Sequence, residues 1–238
     1  MFIRSIAIAS LAVFSLGLPG PQRQFAGLTL ASIFMLTLVP SWMKHHLRKM
    51  GTYHHEISHG LVSMLTSGQF HKFYVHLAGG GVSVTSGGKT KLVVSAGYIG
   101  TILFGAVYLA KSAQSHSMVT ALYIIALLYA FSTIKAGDVH TASVGIAIGA
   151  IVGLVTHLAP GTIITRSLLN LIGLVLVYEG IRSLWTLYLV TATTTKTGSD
   201  AEAMSRISGG HPLHWAFLYS SVAALIIFAL FGFVMNVK

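Results

Sequence analysis

The chain has no cysteine. That excludes a disulfide framework and any thiolate metal site, so a bound metal must be held by histidine or carboxylate. Acidic residues are nearly as scarce, with five Asp and Glu against fifteen Lys and Arg. Charged residues make up 8% of the chain and hydrophobic residues 54%. This is too little charge to cover the surface of a soluble globule. There is no internal repeat, heptad series or low-complexity domain. The net charge of +10 does not mark a nucleic-acid binder, because the basic residues lie scattered between apolar runs and form no single patch. So placed, they orient membrane spans and meet anionic lipid headgroups. The expected class is an all-α polytopic, multi-pass integral membrane protein of about six to eight membrane helices, with the lipid bilayer as its surroundings.

The apolar runs give the order of parts within one membrane-embedded domain, 1–238. Residues 2–18 are apolar after Arg4 and end at Leu18-Pro19-Gly20-Pro21. They read as a first span or a signal-like segment, and the next run, 25–43, favours a hairpin of two spans over 2–43. Lys44–Lys49 is the densest basic cluster. It is expected to be a cytoplasmic loop, with His45 and His46 solvated in it. Residues 51–67 predict a helix too short and polar for a simple crossing, carrying His54, Ser58, Ser63 and Thr66; such a helix must face protein or water. Residues 70–92 are rich in aromatic and β-branched residues around Gly79-Gly80-Gly81 and Gly87-Gly88. They predict a β-hairpin or small sheet, in which His71 and His76 read as structural.

Helical spans are expected over 92–190, in runs at 92–110, 117–135, 141–159 and 167–190. Gly97, Gly100 and Gly105, and then Gly145, Gly149 and Gly153, read as close helix packing. A polar loop, 191–211, contains Ser199-Asp200-Ala201, where Ser199 suits the cap of a helix with Glu202 in its first turn. The last span is 212–235.

Within the 51–67 helix lies His55-Glu56-Ile57-Ser58-His59. On a helix, residues four apart share a face, so both imidazoles can aim at one zinc ion. Glu56 lies next to that face, where a carboxylate can accept a proton from water activated by the metal. One of only five acids in the chain is spent here, in an apolar protein where ionisable clusters are costly. A catalytic zinc normally takes three protein ligands. Glu56 is needed as the base, and Glu179 reads as the ion-pair partner of Arg182 one turn on. Asp138 and Asp200 remain, and residue chemistry alone leaves them level.

His55-Glu56-Ile57-Ser58-His59-Gly60, the Gly-rich β segment, Ser95-Ala96-Gly97-Tyr98-Ile99-Gly100, Gly198-Ser199-Asp200-Ala201 and Gly210-His211-Pro212-Leu213-His214-Trp215 occur in that order. In this the chain resembles the site-2 protease family of membrane-embedded zinc metallopeptidases, peptidase family M50, and most of all its M50B-like branch. The resemblance runs from about residue 50 to the C-terminus, with a featureless stretch from 101 to 165. It implies a zinc-dependent endopeptidase in which His55, His59 and Asp200 hold Zn²⁺ and Glu56 is the catalytic base. The implied partner is a membrane-anchored protein substrate, cut as in the regulated cleavage of anchored signalling factors. One feature departs from the better-known members, whose third ligand sits in a Pro-containing loop ending in Asp-Gly: no Asp-Gly occurs here. Asp138 therefore stays as the alternative ligand. A different class of function, non-proteolytic metal binding or transport, is made thinkable by twelve histidines. It would call for further ligands at mid-span in several helices.

Overall fold

The computed structural model describes residues 20–77, 79–114, 117–194 and 196–236. In chain order these form α1 (Gly20–Leu38), α2 (Ser41–Leu65), β1 (Gln69–Val75), β2 (Gly81–Ser86), α3 (Thr90–Ala113), α4 (Met118–Ile134), α5 (Val139–Leu158), α6 (Ile163–Thr193), α7 (Asp200–Ser208) and α8 (Pro212–Met235). The fold is all-α and polytopic with a two-stranded insert. By length and composition α3, α5, α6 and α8 can each cross a bilayer, and α4 is apolar but shorter. Their outward faces carry large exposed apolar side chains such as Leu127, Ile151, Leu154, Phe217 and Phe228. That is the surface expected where the solvent is lipid. The expected first span, 2–18, lies outside the described residues.

The helix bearing the His-Glu-x-x-His pattern starts ten residues earlier than the pattern suggests. The basic cluster Lys44–Lys49 forms its first turns and is not a loop. No Gly or Pro interrupts 41–50, Lys, Arg, Leu and Met are good helix formers, and Pro40 immediately precedes the first turn. The run therefore has no reason to break before Gly51.

The strands form an antiparallel hairpin through Gly79 and Gly80, pairing Tyr74 with Val82 and Phe73 with Ser83. The outer edge of β1 is occupied. Phe73 N donates to Lys135 O at 3.0 Å, and Gly137 N to Phe73 O at 2.7 Å. Among the described residues, the far edge of β2 has no backbone partner.

One core cluster brings Tyr53 and Ile57 of α2 together with Phe70, Phe73, Leu122, Ile125, Tyr129 and Leu176. A second joins Ile102 to Leu184, Leu187, Ala216 and Tyr219. Helix α3 touches both clusters and packs against α2, α6, α7 and α8. Polar ties add to this. Asn170 accepts from Ser32 at 3.1 Å and donates to Thr29 and Ser112 at 3.2 Å each, linking α1, α3 and α6. In lipid, where every helix surface is apolar, such bonds and small-residue contacts supply what hydrophobic burial does in water.

Candidate metal centre

His55 and His59 project from one face of α2, and α7 carries Asp200 to them across the fold. Asp200 Oδ2 lies 3.2 Å from His55 Nε2 and 3.4 Å from His59 Nε2. Among the described residues this is the one group of three His, Asp or Glu side chains able to share an ion. The separations match the edges of a tetrahedron with metal–ligand bonds of 2.0–2.1 Å, which are about 3.3 Å long.

Two further observations test the fit. Among the described residues, Oδ2 of Asp200 is buried and has no hydrogen-bond partner, and a buried carboxylate oxygen left so is costly. His59 Nδ1 stands 2.7 Å from the backbone carbonyl of Val93. A carbonyl only accepts, so Nδ1 carries the proton, and in the neutral ring the lone pair of Nε2 faces the carboxylate. In that form the electron pairs converge at a spacing that fits a cation between them. The histidine-to-carbonyl bond is the usual outer support of a metal-binding imidazole. With two imidazoles, one carboxylate and no thiolate, the donor set suits zinc better than calcium or magnesium.

Local sequence explains how the third member arrives. Gly198 has φ +65, a backbone region glycine enters without cost. Ser199 follows in extended backbone and caps α7, its Oγ accepting from Glu202 N at 3.3 Å. The Glu202 carboxylate accepts from Gly198 N and Thr197 N at 2.6 Å each and binds Arg206. These contacts, the Gly198 N–H foremost, hold its carboxyl below the usual range. The loop is thereby pinned back on the helix, and Asp200 emerges in the first turn. The helix expected from Ser199 onward is present.

Glu56 does not join the three. It is 4% exposed and lies under β2, where a Cβ added at Gly81 would meet its Cγ and Oε1 at 2.8 Å. Its carboxylate and the three converging side chains line one cavity of about 450 Å³, together with Ser83, Tyr98 and Arg182.

Asp138 is placed elsewhere. It caps α5, accepting from Thr141 N at 2.7 Å, and that backbone N–H holds its carboxyl below the ordinary value. Glu179 and Arg182 form the expected ion pair at 2.7 Å. His71 bonds Ser86 on the hairpin surface, and His76 is exposed. His54 is buried on another side of α2, between Phe104, Tyr108 and Tyr129, its Nδ1 3.0 Å from Met50 O.

Sequence reasoning missed the contribution of α3. A Cβ at Gly97 would collide with Nε2 of both His55 and His59, and one at Gly100 with Ser58. Their spacing announces close packing, but not that the packed partner is the side of α2 that carries His55 and His59. The ring of Tyr98 stands edge-on to His55 at 4.6 Å. No curated protein and no solved structure matches the chain. The model of one family, described as Peptidase M50B-like, matches residues 26–230, and the chain belongs to that family.

Proposed function

We propose that this protein is a zinc-dependent endopeptidase that hydrolyses peptide bonds of membrane-anchored polypeptides. The observation that carries the reading is the division of labour within one cavity. Three side chains converge at metal-ligand spacing, while a fourth, Glu56, shares the cavity and stays out of the cluster. A transporter would need further ligand groups along a path, and the described residues contain one group only.

Zinc, when bound by His55, His59 and Asp200, supplies the Lewis acidity that activates water and polarises a peptide carbonyl. Glu56 takes the proton of the attacking water on its carboxylate and delivers it to the leaving amine. Gly81 leaves room for that carboxylate beneath the strand. The His59–Val93 bond fixes the imidazole in the tautomer that presents Nε2.

The edge of β2 that is unpaired among the described residues suits an extended substrate. The edge of β1 is already bonded to 135–137, whereas Gly81, Val82 and Ser83 of β2 line the cavity. A substrate strand added there satisfies its own backbone, which a polypeptide inside a membrane must do. It then runs past Glu56 and the metal ligands.

The test is cleavage of a membrane-anchored polypeptide by the purified protein reconstituted in lipid. Cleavage is expected to stop on chelation and to return on adding zinc. Cleavage that survives exhaustive chelation would contradict the reading.

A further inference from the structure

The Glu179–Arg182 pair on α6 is built asymmetrically. Glu179 has a side-chain exposure of 7% and Arg182 of 38%. Ionisable residues within an apolar span are costly and point by default to function. Here the guanidinium spends Nε on Glu179. Among the described residues its two terminal NH₂ groups make no bond, and the side chain lines the cavity that holds Glu56 and Asp200. An arginine fork has five donors in fixed geometry and accepts carboxylates in pairs of parallel bonds.

The position of the fork relative to the metal centre follows from α2. A Cβ added at Gly51 would meet Glu179 Cβ at 2.8 Å. Gly51 thus forms the seat of this pair, and Gly51 also lines the cavity. Gly51 lies four residues before His55, so both sit on one face of α2, about one turn or about 6 Å apart along the axis. An extended polypeptide covers that rise in about two residues.

We infer that Arg182 is a specificity-determining residue that receives an acidic side chain of the polypeptide substrate, within about three residues of the scissile bond. The inference rests on the peptidase reading above. Glu179 is the positioning residue: it holds Nε and leaves the edge between the two terminal nitrogens for a ligand. A substrate Lys or Arg in the same place meets the like charge of the guanidinium, whose carboxylate partner is only 7% exposed, and is disfavoured, which adds a repulsive element to the attractive one.

The experiment uses the full chain in lipid and a transmembrane test polypeptide. Single Glu or Gln residues are placed in turn at each of the three positions on either side of the cut. At one position the wild type is expected to prefer Glu over Gln by about tenfold or more in kcat/KM, the scale of a hydrogen bond to a charged group. In Arg182→Gln the ratio of the two substrates should fall to about one. Because that change strands Glu179, the double variant Glu179→Gln/Arg182→Gln is measured too, and it should show the same collapse with wild-type zinc content. Affinity of the zinc-loaded Glu56→Gln protein for the same polypeptides reads the contact without catalysis. A Glu preference in binding with no cleavage by the wild type would sink the peptidase reading and leave Arg182 its role. Cleavage with no Glu preference at any position, or a preference that persists in both Arg182 variants, would overturn the assignment of Arg182.

Discussion

Glu56→Gln is expected to lower kcat/KM for a membrane-anchored substrate by about 10³-fold or more while leaving zinc content at the wild-type level. The substitution keeps the side chain's size, so the room beneath Gly81 is filled as before. It removes the proton acceptor, and a positioned general base is worth about 10² to 10⁴ in rate. Because Glu56 lies outside the three-residue cluster, the metal should remain. Loss of zinc in parallel with activity would make Glu56 a ligand. Full activity would remove the hydrolytic mechanism and favour metal binding without proteolysis.

The second large effect separates the two aspartates that residue chemistry left level. Asp200→Asn replaces a charged donor by a neutral amide whose oxygen and nitrogen compete for the place facing two imidazoles. Changes to outer-shell partners alone cost about 10- to 100-fold in metal affinity, so the loss of a ligand should exceed that, and activity should fall with the zinc. Asp138→Asn should change neither, because asparagine caps a helix as well as aspartate does, and the bond from Thr141 N has an acceptor in both. Zinc titrations of the two variants decide the matter. If Asp138→Asn strips the metal and Asp200→Asn keeps it, the third ligand is misassigned.

The parts of the site that were legible are those set by local rules. The facing of His55 and His59 follows from helical periodicity, the helix after Ser199 from capping, the Glu179–Arg182 pair from one-turn spacing, and the hairpin from its glycines. Two things were not. The extension of α2 back through Lys44–Lys49 was hidden because a basic cluster between apolar runs looks like a loop, although nothing in it breaks a helix. The meeting of α7 with α2 is long-range. Within Gly198-Ser199-Asp200 no local preference says which distant helix the carboxylate will face, and only the family resemblance pointed there. Gly97 belongs to the same class. Its lack of a side chain is visible in the sequence, but the two imidazoles that occupy the space are not.

The central claim is that His55, His59 and Asp200 hold one catalytic zinc. It is tested most directly by metal analysis of the purified, zinc-loaded protein beside its His59→Ala variant. The account predicts about one zinc per wild-type chain and little in the variant, with the fold retained by circular dichroism. Equal zinc in both proteins, or none in the wild type, would contradict it.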